Sequence, residues 1–466
     1  MTRNRPRRRS NVPFFPAAEQ SPGSTKTLLR ESDGTTVRRT VLPSGLRVLS
    51  ESVPGARSVT LGVWAGVGSR DETDRSRGAA HFLEHLLFKG TEQRSALQIA
   101  SEIDAVGGMA NAFTAKEFTC FYAKTLGRDL GVAVDVMLDM TTRPTLADDD
   151  IDAERTVVIE EIGMHEDDPG DRAGEALEQR ILARSPLGRP ILGSRESIAG
   201  MDSAAIRSFF RRHYRPDRLA VTVAGDVDHR KLVSMVRRAT RHLGWPDATP
   251  RPLHRNQSHR HRRQRAAELS WQEWPGEQCT VAMAVPGLPR AHPDRVALEV
   301  LNEIIGGGMS SRLFQSVRER HGLAYAVQSG HSAYTDAGLW SAAAGCQPDR
   351  AADVVELIMA EIDAVLNDGI SGEEVERARG HLAGSLVLAG EDSSARMAAL
   401  GRAEVATGEL LTAAEALNRI DSVTAADLNR VGRTVLAAPF TASIVGGPKR
   451  KRDRQRIEQL VAGGTR

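Results

Sequence analysis

Apolar and polar positions change rhythm several times along this chain, and each change marks an element. “TVRRTVLPSGLRVLSESV” (36–53) alternates on both sides of Pro43-Ser44-Gly45, which predicts a hairpin. “SVTLGVWAGV” (58–67) is a continuous apolar run, the mark of a buried strand. “SALQIASEIDAVG” (95–107) repeats at helical spacing and stops at Gly107-Gly108. “NAFTAKEFTCFYAKTL” (111–126) returns to alternation and predicts a strand. “IDAERTVVIEEIGMHEDD” (151–168) predicts a helix with an acidic end, and “DRLAVTVAGDV” (217–227) another strand.

This order then recurs. “IAGMDSAAIRSFF…LAVTVAG” begins at Ile198 and “IDSVTAADLNRVG…TASIVGG” at Ile420, an offset of 420 − 198 = 222 residues. “SVTLGVWAGVGSRDE” and “CTVAMAVPGLPRAHP” open the two halves with similar strands. A repeat this long points to a duplicated domain rather than a solenoid. Strands and helices come in runs without regular βαβ units, so the expected class is α+β, two related halves of mainly antiparallel sheet packed with helices. Between them “GWPDATPRPLHRNQSHRHRRQRAAEL” (244–269) is rich in Pro, His and Arg and poor in large apolar residues. It is expected to be a solvated linker, with His254, His259 and His261 too loosely held to bind a metal. The expected boundaries are a disordered basic tail (1–34), a first domain (35–243), the linker (244–268), a second domain (269–447) and a basic C-terminal segment (448–466).

Composition narrows the classes. With 62 basic and 60 acidic residues among 466, the net charge of +2 gives no overall pull toward nucleic acid or a membrane. No apolar run is long enough to span a bilayer. The opening “MTRNRPRRRSNVPFFPAAEQ” has no apolar core of a secretory signal. Cys120, Cys279 and Cys346 are far apart in sequence, which predicts no disulfide framework and a reducing compartment. The preference for Arg over Lys, with much Ala and Gly, suggests a GC-rich bacterium and a cytoplasmic setting.

The candidate chemistry lies in “RGAAHFLEHLLFKGT” (77–91). On a helix advancing about 100° per residue, His81, Glu84 and His85 share an arc of about 100°. Phe82, Leu83, Leu86 and Leu87 fill the other side. Imidazoles at i and i+4 can hold one metal ion, and the glutamate between them can reach a water molecule without being a ligand. This is H-x-x-E-H, the reverse of H-E-x-x-H. A third ligand is needed for a catalytic zinc site. The helix at 151–168 offers Glu154 and Glu161, seven apart and on one face, with Val157 and Val158 expected to bury that face. Glu160 is expected to point to water.

These features resemble the pitrilysin/insulinase family of zinc peptidases, and most of all the single-chain bacterial relatives of the mitochondrial processing peptidase β subunit. The family's third ligand follows the second histidine by about 76 residues, with another glutamate seven earlier. Here 161 − 85 = 76 and 161 − 154 = 7. The resemblance implies His81, His85 and Glu161 as ligands of one Zn2+ per chain, Glu84 as the general base and Glu154 as a supporting carboxylate. It also implies a substrate-binding edge strand at Asn111, Ala112 and Phe113. In the second half it implies a glycine-rich loop at Gly306, Gly307 and Gly308, and an Arg318–Tyr325 pair that grips substrate and stabilises an oxyanion. The second half has no H-x-x-E-H of its own, so metal and grip are divided between the halves.

The function implied is a zinc metalloendopeptidase acting on oligopeptides or unstructured segments inside a closed chamber. Family members close such a chamber from two half-molecules, so a homodimer is expected, with no nucleic acid or membrane as partner. A non-catalytic scaffold would have lost the motif. A subunit dependent on another, glycine-loop-bearing chain would lack “GGGMSSRLF”, which this chain carries.

Overall fold

The computed structural model describes residues 19–463 except 184, 252, 254 and 256–265. The first half carries strands β1 (Thr25–Arg30), β2 (Thr36–Val41), β3 (Arg47–Ser52), β4 (Ser58–Ala65), β5 (Met109–Thr114), β6 (Thr119–Leu126) and β7 (Leu219–Gly225). Its helices are α1 (Ala79–Leu86), α2 (Ala96–Asp104), α3 (Leu130–Thr142), α4 (Asp148–Glu166), α5 (Pro169–Ile181), α6 (Arg195–Ala199), α7 (Ser203–His213) and α8 (His229–Thr240). The second half carries β8 (Glu268–Gln272), β9 (Cys279–Pro286), β10 (Ala324–Ala333), β11 (Gly338–Cys346) and β12 (Thr441–Val445). Its helices are α9 (Arg295–Asn302), α10 (Ala351–Asn367), α11 (Gly372–Ala389), α12 (Ser393–Arg402), α13 (Ala413–Asp421), α14 (Ala425–Val435) and α15 (Lys451–Gly463).

The α+β class holds, and the duplication is visible in the topology. The first sheet runs β1-β2-β3-β7-β4-β6-β5 and the second β10-β11-β9-β12-β8. In each, the last strand of the half inserts between two earlier ones, parallel to one neighbour and antiparallel to the other: β7 between β3 and β4, β12 between β8 and β9.

Each sheet is covered on both faces, which is why β4, β7 and β12 are buried along almost their whole length and carry few polar side chains. One face of the first sheet joins the helices of its own half in a core around Leu61, Phe82, Leu83, Phe121 and Val221. The other face is covered by α12 from the second half, where Met397 and Leu400 meet Trp64 and Cys120. In return α5 of the first half lays Ala173 and Leu177 on Ala282, Ala284, Leu339 and Val445 of the second sheet. The halves therefore exchange one helix each. Gly401 permits the first exchange: a Cβ there would stand 2.0 Å from the Trp64 ring, itself pinned by a 2.8 Å hydrogen bond from Nε1 to Thr222.

Charge also crosses the boundary. Glu404 pairs with Arg39 at 3.1 Å and Arg47 at 3.0 Å, and all three are buried. Glu117 pairs with Arg70 at 2.7 Å and Arg290 at 2.9 Å and accepts the Thr335 N–H. Removing Glu404 would strip both buried arginines of its carboxylate, so this contact helps fix how the halves sit together.

Several expectations change. The tail expected through residue 34 instead holds β1, paired along β2, with Gln20 buried and bonded to the Arg39 carbonyl. The single strand expected over 111–126 is the β5–β6 hairpin, turning at residues 115–118. The segment expected to be a linker begins as chain docked on the first half: Ala248 N–H donates to Pro43 O, Arg251 N–H to Asp217 O, and Leu253 is buried. His254, His259 and His261 lie outside the described residues. The basic C-terminal segment is α15, which buries Ile457 and Val461 in the second core. Cys279 and Cys346, distant in sequence, face each other across β9 and β11. The neighbouring thiol and burial push Cys346 far up, which keeps it protonated and unreactive.

Candidate metal centre

The metal helix is short and held at its start. Gly78, at φ +86°, has no side chain to cap α1, and a Cβ would strike Leu192 O at 2.6 Å. Glu72 does the capping instead, accepting the N–H groups of Gly78 and Ala80, each at 2.9 Å. Phe82, Leu83 and Leu86 then bury one side of the helix, leaving His81, Glu84 and His85 together on the other. The second carrier, α4, packs against α1 through a stripe of Ile151, Glu154, Val158 and Ile162. Val157 differs from expectation: it is 48% exposed, because it lies on the side of Glu161 away from Val158.

Helix packing brings the predicted ligands to one point. His85 Nε2 is 3.3 Å from Glu161 Oε2 and His81 Nε2 is 3.6 Å from it. One donor atom from each of the three lies within 4.8 Å of the others. Tetrahedral ligands about 2.1 Å from one zinc ion stand roughly 3.4 Å apart, so the spacing fits. The chemistry fits as well. Glu161 Oε2 is buried with no hydrogen-bond partner, an orphan that a cation would satisfy. Burial, with His85 and His165 nearby, pushes His81 down to about 3, so its ring is neutral and keeps a lone pair.

Around the cluster stand residues that orient it. Glu154 Oε1 is 2.8 Å from His85 Nδ1, which assigns the Nδ1–H tautomer and turns the Nε2 lone pair toward the cluster. Glu154 is buried and also ion-paired with Lys89. Burial raises Glu84, while the Thr114 hydroxyl, donating at 2.5 Å, and His85 pull it down. Glu160 is exposed, as expected.

The residues assigned to substrate fall into two groups. β5 ends its sheet, so one edge has no strand partner among the described residues. Asn111 is exposed on it, and its Oδ1 accepts the Ala112 N–H. Ala112 packs on the first core. Phe113 points to the other face of the strand and joins an aromatic cluster with Trp64, Phe118 and Tyr122. In the second half Gly306 touches β10 so closely that a Cβ would stand 2.6 Å from Ser329 N, and Gly307 and Gly308 follow beside Glu303. Arg318 lies over the Phe314 ring at 4.6 Å and over the Tyr325 ring at 5.3 Å, and Tyr325 is 85% exposed. Arg318 and Tyr325 are thus brought to each other, but neither bonds to the metal cluster of its own chain.

Three supporting residues were missed in the sequence. Lys89 could have been suspected, being four after His85. Glu72 and Thr114 act across loops, and nothing in their spacing signals them.

The first half, residues 47–195, matches the family model described as insulinase (peptidase family M16). A zinc protease of Streptomyces coelicolor is 45% identical over 440 residues, which covers 94% of this chain and 95% of that one. The chain belongs to the insulinase family, M16. The peptidase class expected from the motif stands with it. A Bacillus subtilis zinc protease, YmxG, is 34% identical over 88% of this M16 chain and 98% of its own. Residues 201–382, from just before α7 in the first half into α11 of the second, match the model described as the peptidase M16 inactive domain. The fold is shared with a Helicobacter pylori protease, at TM-score 0.82 and 22% identity, covering 89% of this chain and all of that one. No helix among the described residues of this M16 chain is long and apolar enough to cross a membrane.

Proposed function

We propose that this chain is a zinc-dependent endopeptidase that cuts oligopeptides and unstructured segments. The observation that carries the reading is the orphaned Glu161 Oε2 facing both Nε2 atoms at ligand spacing. His81, His85 and Glu161 hold one zinc ion. When bound, zinc supplies polarisation of the scissile carbonyl and acidifies water. Glu84 takes the proton of the attacking water and passes it to the leaving amine, and its burial keeps its carboxyl basic enough to do so. Glu154 fixes the His85 ring. The open edge of β5 takes the peptide as an added strand through main-chain hydrogen bonds, which select extended, unfolded chain over sequence.

Arg318 and Tyr325 donate to the developing oxyanion from the other molecule of a homodimer whose halves enclose a chamber. The support is that the pair is presented outward and makes no bond to its own metal cluster. Metal analysis with peptide-library cleavage tests the core of the reading. Glu84→Gln should keep one zinc per chain and lose hydrolysis; His81→Ala, His85→Ala and Glu161→Gln should lose both. A metal-free Glu84→Gln, or a zinc-replete Glu161→Gln, would overturn the roles.

A further inference from the structure

We infer that Thr114 is a positioning residue for the base, and that it ties the base to the strand on which the peptide lies. This rests on the reading of Glu84 as the base. Thr114 is the last residue of β5, and its hydroxyl donates to Glu84 Oε2 at 2.5 Å. That is the sole side-chain hydrogen bond of Glu84 among the described residues, so Oε1 is the oxygen left for water.

The row on this face of β5 explains why the contact forms. Side chains alternate along a strand, so Ala110, Ala112 and Thr114 share the face toward α1. Ala110 and Ala112 are small and pack against the first core, which lets α1 lie close over the strand. Thr114 is the polar member of the row and arrives where Glu84 projects. Its backbone is held by β6, opposite Thr119. One strand thus offers its open edge to a peptide and its terminal hydroxyl to the base. A carboxylate hydrogen-bonded at one oxygen is restrained about its last torsion, which keeps its other oxygen aimed. A peptide that orders the β5 edge then orders the base through the same backbone.

The consequence is a selective loss. Without the hydroxyl, binding of the peptide and of zinc persist while the chemical step slows, since small misplacements of a reacting group cost up to about a hundredfold. The experiment compares Thr114→Val, which keeps shape and strand preference, with Thr114→Ser, which keeps the hydroxyl. Glu84→Gln is the control, and zinc content and melting temperature are read for each. Thr114→Val should lower kcat by about tenfold or more, with KM within about twofold and one zinc retained. Thr114→Ser should stay within about threefold of wild type. Should the valine variant fail to fold, Thr114→Ala gives the same comparison. Valine and serine variants with equal kcat, or a valine variant that has lost its zinc, would overturn the inference. An inactive Glu84→Gln beside a fully active Thr114→Val would overturn it alone; an active Glu84→Gln would overturn the base assignment as well.

Discussion

Replacing Glu154 by Gln tests how the zinc site is held from behind. Glu154 is buried and serves two donors, His85 Nδ1 at 2.8 Å and the Lys89 ammonium. A glutamine keeps one acceptor oxygen and turns an NH2 toward the second donor. If it faces His85 with the NH2, the ring loses the tautomer that points Nε2 at the metal. If it faces Lys89, an ammonium is left without its counter-charge. Losing one charge-assisted hydrogen bond costs about 1.5–3 kcal/mol, and Lys89, 37% exposed, recovers part of its share from water. The expected net cost is about 1.4–2.8 kcal/mol in zinc binding, a ten- to hundredfold rise in Kd. Glu160→Gln on the same helix is the matched control. Glu160 is exposed and off the buried stripe, so its Kd should stay within about twofold. Zinc affinity is read by competition with a calibrated chelator at fixed pH, alongside hydrolysis of a quenched peptide. Equal Kd values for the two variants would refute the assignment of Glu154 to His85.

Other predictions follow from packing, protonation and assembly. Gly401→Ala should destabilise the chain by about 2 kcal/mol or more, because overpacking against Trp64 outweighs the gain in helix propensity. Gly384→Ala, in open space on exposed α11, should instead stabilise by about 0.5–1 kcal/mol; thermal unfolding reads the opposite signs. His229 is buried between the hydroxyls of Thr40 and Ser50, each at 2.8 Å. Burial and Arg38 push it down to about 4, against Asp228. The unfolded imidazole, near 6.5, takes up a proton first, so this stability is present above about pH 6.5 and lost as pH falls toward 4. His229→Gln should flatten that acid limb in denaturant titrations at stepped pH. Mixing Glu84→Gln with an Arg318→Ala/Tyr325→Phe chain should restore about half of wild-type activity per mixed dimer, since one site is then whole. Mixed dimers no more active than either parent, with exchange confirmed by mass, would place the pair in its own chain's site.

Legibility in the sequence followed the reach of periodicity. His81, Glu84 and His85 repeat within one turn, and Glu154 and Glu161 within two, so the helical period placed them before any fold was known. Thr114 and Glu72 reach the site across loops, where no period operates. β1 escaped notice because “TKTLLR” is an edge strand whose residues stay largely exposed, with no apolar run to announce it. The C-terminal helix was hidden by its charges: Ile457 and Val461 keep the i, i+4 spacing inside a Lys/Arg-rich segment. The burial of Arg39 and Arg47 is not legible in the hairpin sequence, because their partner Glu404 comes from the other half of the chain. Val157 erred in the opposite sense, because a helix beside an active site leaves part of its apolar surface open.

The position of β7 sets an order of events while the chain is being made. β3 and β4 are neighbours in sequence, and successive strands tend to pair, yet here β7 must come between them. From His85 to the end of β7 the ribosome adds 225 − 85 = 140 residues, roughly 7–30 s of synthesis at about 5–20 residues per second. During that interval β3 and β4 are both present, each able to take the other as a wrong mate, and the metal helix has no finished sheet to lie on. α12, which closes the outer face, emerges later still. Until β7 arrives, the facing edges of β3 and β4 have to stay unpaired for the native sheet to close.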